Sequence, residues 1–587
     1  MSAPSRRRGP DGSNGGPLLI VIVTAVAVVV AFLGSMRLGY EWAGVTLPDE
    51  RSPFVLVLQI ATGKLVAPVE VWIVFCGASV VLALLGIAAA IMRARWSSNH
   101  PRFDLAARYM GSGKAIRDVT RKGAAEKAAR LGVAGPAGVF IGKTVAGGVD
   151  LVTSWEDVGV VIAGPRTGKT TSQVIPAIVD APGAVVSTSN KRDVVDATRT
   201  LRASNGEQVW VFDPQGIVAE EPTWWWNPLS YVTNEVKAAQ MAKLLSDASR
   251  DANARRDAFF DGSAETLLAG MLLAAARDDL PLSQVYLWLT DVRDDSAVII
   301  LDHHGDLKSA ASVQQIVGAP EKQKGGIYGT AQQIVSFMIN SEAVRWVERD
   351  SPADNRVQFV PADFVRSRGT LYSLSKEGGG STGPLVTAMT VAITEAAEAY
   401  AITQSGGRLS VPLLLVLDEA ANICKWNELP NLYSHYGSRG ISIITILQSW
   451  SQGVEVWGKD GMQKLWTAAN SKVYLGGVDE DPFLASLSTL IGEYELSSRS
   501  TSRSSTGNSS SLQSRRERIL DASDLRAMPR GRAILLYSGT PAILVRTVPW
   551  MAGPHADAIR AAIAATDVVA PRADAAGTEP QEEAVAA

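Results

Sequence analysis

The residues with the most chemistry in them are Gly168, Lys169 and Thr170. A buried-strand pattern, Asp157-Val158-Gly159-Val160-Val161-Ile162-Ala163, runs directly into Gly164-Pro165-Arg166-Thr167-Gly168-Lys169-Thr170-Thr171. A strand, a glycine-containing turn and Gly-Lys-Thr opening a helix form the arrangement that cradles nucleotide phosphates. Backbone N–H groups of the turn and the helix N-terminus surround the anion. Lys169 would reach the β- and γ-phosphates of ATP, and the Thr170 hydroxyl would ligate Mg2+. The pattern G-x-x-x-x-G-K-[ST] asks for glycine at 163, so Ala163 fits only with a negative φ. Pro176 is expected to kink or shorten the helix over 170–180. A second Gly-Lys-Thr, at 142–144, is followed by Val-Ala-Gly-Gly, which does not continue a helix.

Such a loop needs an acidic partner. The apolar run 411–417 suits a parallel strand buried on both faces, and it ends at Asp418-Glu419. Asp418 would hold Mg2+ through water, and Glu419 would orient and activate the attacking water. A further buried strand, 441–446, is followed by Gln448 and preceded by Arg439. Gln448 stands where it could sense the γ-phosphate or simply close a strand-end hydrogen bond. Arg439 stands where it could reach a neighbouring subunit's nucleotide or be a plain surface cation.

The stretch from Lys169 to Asp418 is too long for a compact βαβ core, so something is inserted. Strand, helix and strand are expected at 183–189, 192–204 and 208–212. Apolar residues at helix spacing then run through 235–248 and 263–278 and on to about 348. Strand character returns at 369–375, and strands 532–537 and 542–547 close the sheet. The expected fold is α/β, with a mostly parallel sheet, an inserted all-α domain at 231–350 and a phosphate-loop domain at 151–230 and 351–550. Residues 93–150 read as a linker and the start of the cytosolic part, and 551–587 as a C-terminal segment ending in a disordered tail. The Ser-rich stretch 497–514, with Arg499 and Arg503, reads as a mobile loop. Trp224-Trp225-Trp226 reads more readily as packing at the domain junction than as a base-stacking platform. His303-His304 reads as a loop feature rather than a metal site.

The chain's 587 residues carry 56 Lys+Arg against 59 Asp+Glu, a net charge of −3. That excludes a small basic nucleic-acid module and an acidic disordered chain. Two cysteines, Cys76 and Cys424, leave no disulfide framework and no cysteine zinc site. A mean hydropathy of +0.08 with 20% charged residues points to hidden lipid-facing segments. Two uncharged runs, 18–36 and 71–92, are each long enough to cross a bilayer. Arg6, Arg7 and Arg8 flank the first; Arg93, Arg95, Arg102 and Arg108 flank the second. The intervening loop, 37–70, balances its cations with acids, so both ends are expected in the cytoplasm. The tail 1–17 is expected to be disordered.

The order of these motifs resembles the type IV secretion coupling proteins, the TraG/TraD-like conjugative ATPases of the wider FtsK/HerA group. The resemblance rests on the two spans, VVIAGPRTGKTTSQVIPAIV, VFDPQG, WWWNPL, LLLVLDEAANI, and Gly437-Ser438-Arg439-Gly440 with ITILQSWSQ. It implies a RecA-like P-loop fold, ATP and Mg2+, a homo-hexamer, and DNA or a DNA–protein conjugate as cargo. It also implies relaxosome and secretion-channel partners, a two-pass inner-membrane location with the ATPase part in the cytoplasm, Arg439 as a trans-acting finger and Gln448 as a nucleotide sensor. The helical insertion resembles the family's cargo-facing domain. The chain departs from the family in Ala163, in Arg166, and at Ser187-Thr188-Ser189-Asn190-Lys191-Arg192-Asp193, where an acid before the lysine is missing. A related translocase moving duplex DNA or protein is the alternative reading. An ABC-type exporter is excluded: Ser405-Gly406-Gly407 lies too close to Asp418 to form that family's signature.

Overall fold

The computed structural model describes residues 15–46, 60, 62, 66–98, 102–133, 135–250, 257–376, 382–504 and 507–567. Most of the tail expected at 1–17, and the tail beyond 567, lie outside them. The chain forms two compact units, Met1–Tyr109 with Glu493–Glu517, and Met110–Gly492 with Arg518–Ala587.

In the first unit, helices α1 (Gly15–Trp42) and α2 (Val69–Ser98) contain the two uncharged runs. They cross closely because Gly39 has no side chain: a Cβ there would lie 2.4 Å from the Val71 Cα. Met36, Tyr40 and Val71 are buried around the crossing, and Phe32 meets Phe75 edge-on at 5.3 Å. Away from the crossing, Val26, Val30, Val80, Leu84 and Leu85 are exposed.

The strands, in chain order, are β1 (Gly138–Thr144), β2 (Asp150–Ser154), β3 (Gly159–Ile162), β4 (Val185–Ser189), β5 (Val209–Phe212), β6 (Trp224–Trp225), β7 (Val357–Gln358), β8 (Thr370–Leu374), β9 (Leu413–Leu417), β10 (Ile441–Leu447), β11 (Ser471–Tyr474), β12 (Glu493–Ser504), β13 (Gly507–Arg518), β14 (Arg532–Tyr537) and β15 (Ile543–Arg546). Eleven of them form one sheet in the order β2-β1-β15-β14-β11-β3-β10-β9-β4-β8-β5. The block from β11 to β5 is parallel throughout. β14, β15, β1 and β2 extend it as antiparallel neighbours. The parallel strands are covered on both faces, which is why β9 is apolar and buried at every position.

Two boundaries differ from the sequence expectation. The sheet begins at β1, inside the stretch read as a linker and the start of the cytosolic part, ahead of the boundary expected at 151. Glycines disguise this strand: a Cβ at Gly138 would lie 1.7 Å from the Thr153 carbonyl oxygen, and the register shifts at Gly142, whose φ is +150°. Lys143 of the second Gly-Lys-Thr lies on β1 and pairs with Asp150 at 2.7 Å. The Ser-rich stretch 497–514 is likewise no loop. It is a ribbon of two paired strands, β12 and β13, belonging to the first unit. Backbone hydrogen bonds hold such a ribbon, so a run of serines gives no apolar alternation by which to recognise it. At its foot Tyr494 stacks on Tyr109 at 4.1 Å, and the Tyr494 hydroxyl donates to Glu517 at 3.1 Å.

Helix α3 (Asp193–Ala203) completes the first βαβ. The insertion contributes α4 (Glu235–Ser249), α5 (Ala258–Arg277), α6 (Leu282–Thr290), α7 (Ser296–His303), α8 (Leu307–Val317) and α9 (Glu321–Ile334). They surround α5, and β6 and β7 pair in parallel where the chain enters and leaves the insertion. Trp224, Trp225 and Trp226 are buried there, and Trp224 packs on Trp210 and Trp346; the tryptophans are packing. His304 meets Asp278 at 2.6 Å, and the described residues hold no metal-binding cluster around it.

The chain continues with α10 (Gly383–Ile402), α11 (Leu429–Ser438), α12 (Trp450–Ala468), α13 (Asp481–Ile491) and α14 (Ala556–Asp567). The last lies in the segment read as C-terminal and ending in a disordered tail; it packs on α3, and its Ile559 clusters with Ala197 of α3 and with Ile175 of the helix after the phosphate loop. Among the described residues three helices are long and apolar enough to cross a membrane, not two: Val69–Ile87, Ala258–Arg277 and Gly383–Ile402. The second and third are half and two-thirds buried within the protein, whereas the first is almost uncovered.

Candidate active site

Three neighbouring parallel strands, β3, β10 and β9, deliver the site from their C-terminal ends. Leu447 of β10 stands beside Ile162 of β3, and Thr445 stands beside Leu417 of β9. The residues that follow these strands therefore emerge side by side, where ligands bind in open parallel sheets.

β3 leads into the phosphate loop. Ala163 is buried, its N–H donates to the Leu447 carbonyl at 2.9 Å, and it is not among the residues of positive φ. That is the condition under which alanine replaces the usual glycine. Gly164 is indispensable for a different reason: a Cβ there would lie 1.9 Å from the Gly477 carbonyl oxygen. Arg166 and Gly168 take the left-handed region at φ 60° and 89°, and Thr167 Oγ1 donates to the Gly164 carbonyl at 2.8 Å. Pro165 and Arg166 are exposed. Lys169 and Thr170 open the helix, and Thr171 and Ser172 hydroxyls return to the Gly168 carbonyl at 3.1 and 2.7 Å. The expected disturbance at Pro176 takes a defined form. Thr170–Val174 is a wide π turn, with Ile175 N donating to Thr170 O, before an α-helix over Ile175–Asp180. Proline has no N–H to give the preceding turn, and the widened turn absorbs the loss.

β9 ends at Asp418 and Glu419, both buried. Glu419 has a left-handed backbone at φ 53°, and the Asp418 carbonyl is held by the Thr188 hydroxyl at 2.8 Å. Lys169 Nζ pairs with Asp418 Oδ1 at 3.1 Å and with Glu419 Oε1. Gln448 Nε2 donates to the other oxygen, Glu419 Oε2, at 2.6 Å. Burial works against the Lys169 ammonium, but the two carboxylates outweigh it and raise its pKa above the ordinary lysine value. Burial pushes the Asp418 carboxyl up, against the pull of Lys169.

Lys169, Asp418, Glu419 and Gln448 thus converge as the sequence predicts. Arg439 does not join them. It follows α11 and precedes β10, at the opposite end of the strand, where its Nη1 donates to the Gly407 carbonyl at 3.1 Å. Seven strand residues at ~3.3 Å each place it ~23 Å from Gln448.

The residues present fit a magnesium nucleotide. The loop offers backbone N–H groups at a helix N-terminus and one lysine for phosphate. Asp418 and the Thr170 hydroxyl supply few metal ligands, and no cluster of three or more His, Cys, Asp or Glu occurs among the described residues. Mg2+ is ordinarily held this way, by one or two carboxylates together with substrate phosphates. Sequence reasoning missed Gly476 and Gly477, which close over the loop: Gly164 N donates to the Gly476 carbonyl at 2.9 Å. A Gly-Gly pair directly after an apolar strand is the signal that marks them.

The sheet and the loop define an α/β protein of the P-loop NTPase class, with helical additions. Two family models match the chain: "Type IV secretory system Conjugative DNA transfer" over residues 117–345, and "TraM recognition site of TraD and TraG" over residues 412–530. Protein VirD4 of Rhizobium rhizogenes and VirD4 of Agrobacterium fabrum are each 21% identical over 411 residues, 66% of this chain. The alignments span 57% and 58% of those proteins, a little over half the length of the curated relatives. Among solved structures, the bacterial conjugative coupling protein TrwBdeltaN70 in an unbound monoclinic form has a TM-score of 0.54 at 18% identity, over 75% of this chain and 96% of that one. The plasmid coupling protein TrwB in complex with the non-hydrolysable ATP analogue ADPNP has a TM-score of 0.51 at 17% identity, over 68% of this chain and 87% of that one. In both matched regions the chain is similar to the type IV secretion coupling proteins.

Proposed function

We propose that the protein is a membrane-anchored ATPase that couples ATP hydrolysis to delivery of DNA, or a DNA–protein conjugate, into a type IV secretion channel. The observation that carries this is the meeting of Lys169, Asp418, Glu419 and Gln448 at the ends of three adjacent strands. Glu419 is the general base that would accept a proton from the attacking water once Lys169 turns to the phosphates, and Gln448 steadies its second oxygen. Lys169 carries positive charge to the phosphates and neutralises what develops there. Mg2+, held by Thr170 and Asp418, would supply charge stabilisation and orientation of the phosphates.

The matching family model, described as conjugative DNA transfer, supports DNA as cargo; relaxosome and channel proteins are proposed as partners from the resemblance. A homo-hexamer is proposed from the resemblance to the coupling proteins; Arg439, remote from its own chain's site, would then serve a neighbour's. The uncovered apolar faces of α1 and α2, with arginines at both outer ends, support a two-pass anchor with the ATPase unit in the cytoplasm. The test is ATP hydrolysis by the purified full chain together with crosslinking in cells. Glu419→Gln should keep nucleotide binding, lower turnover by about a hundredfold or more, and trap bound cargo. Wild-type turnover in Glu419→Gln, or crosslinks to protein alone, would contradict the base assignment or the DNA cargo respectively.

A further inference from the structure

We infer that Glu480 is a positioning residue for hydrolysis that acts through Gln448; the inference rests on the nucleotide reading above. Gln448 reaches Glu419 from the short link between β10 and α12, so its aim depends on how the start of α12 is held. Ser449 is the N-cap, and its hydroxyl accepts from Gln452 N at 3.2 Å. The Gln452 side chain reaches back and accepts from Gln448 N at 3.0 Å. The two remaining amides of the first turn, Trp450 N and Ser451 N, donate to Glu480 Oε2 at 2.9 Å and Oε1 at 3.1 Å. These amides are the positive end of the helix, where a carboxylate binds better than a neutral acceptor.

Glu480 comes from the other side of the site. It ends the segment leaving β11, and β11 flanks β3 on the side opposite β10. On its way this segment crosses the phosphate loop: the Gly476 carbonyl receives Gly164 N at 2.9 Å, and Gly477 lies against Gly164. At its end the Glu480 carbonyl starts α13, receiving Leu484 N at 3.0 Å. One short bracket, 475–480, therefore touches the phosphate loop and the first turn of α12. It fixes Gln448 relative to Lys169. The partners of the Glu480 side chain are backbone amides, so a plain helix cap is the competing role. A cap alone would alter stability without acting through Gln448.

Steady-state ATP hydrolysis by the full chain separates the two. Glu480→Ala should lower kcat about tenfold while KM stays within about twofold, and Glu480→Gln, which keeps one acceptor oxygen, should recover part of the loss. In a Gln448→Ala background Glu480→Ala should cost nothing further. Full activity in Glu480→Ala, or losses that multiply in the double variant, overturn the inference. If Glu480→Ala does not fold, the same cycle is run with Glu480→Gln. Lys169→Ala and Glu419→Gln tell the two failures apart. If both hydrolyse like the wild type, the nucleotide reading fails. If both are silent and the Glu480 cycle is multiplicative, only the role of Glu480 fails.

Discussion

Lys169 is set against two buried carboxylates, and that makes its removal a test of electrostatics as well as chemistry. Lys169→Met should abolish hydrolysis and destabilise the fold by about 3 kcal/mol near neutral pH, because it leaves buried charge unpaired. The pH dependence has a definite sign. Burial already holds the Asp418 pKa up, and loss of Lys169 removes the charge that pulls it down. A group whose folded pKa is raised contributes stability below its unfolded value, about 3.9 for Asp, and loses it as pH rises through the folded value. The deficit relative to the wild type should therefore grow from pH 4 toward pH 8 in thermal melts, and a deficit constant across that range would refute the pairing. The meeting of Lys169 with Asp418 and Glu419 was legible in the sequence because residue type and strand context together prescribe it. The left-handed backbone of Glu419 was not, since it depends on how β9 meets its neighbours. Nor was the Glu480 contact, which joins residues from two separate strand ends.

At the scale of elements, close approach decides which glycines are needed. Gly164→Ala would drive a Cβ into the Gly477 carbonyl and should cost about 1–3 kcal/mol in denaturant melts, with weakened nucleotide binding. Gly159→Ala meets nothing nearer than 3.5 Å and should leave both measurements close to wild type. Equal effects from the two would show that the bracket over the loop is unimportant. Gly39→Leu should push α1 from α2, and a disulfide-trapping assay across the crossing would then lose its signal. Strands β9 and β10 were legible as unbroken apolar runs, and α4 and α5 as helix-spaced ones. β1 was hidden by its glycines and a register shift. The β12–β13 ribbon was hidden because serine carries no hydrophobic signal and the strands pair mainly with each other.

At the scale of the whole molecule, the averages describe no part of it. Near-zero charge and slightly positive hydropathy blend two long apolar runs, a sheet buried on both faces and a Ser-rich ribbon. The position of Arg439 carries the strongest prediction here. If it serves a neighbour's nucleotide, mixing Arg439→Ala subunits with Glu419→Gln subunits should restore part of the hydrolysis that each lacks alone. No recovery at any mixing ratio would place Arg439 in a structural role. The paired strands β6 and β7 add a consequence of another kind. They bring the two ends of the helical insertion side by side, about 4.8 Å apart. The insertion is therefore mounted like a cartridge in a socket. A relative's insertion could be exchanged at that seam without re-routing the sheet, giving hybrid proteins whose helical part and nucleotide-loop part come from different sources.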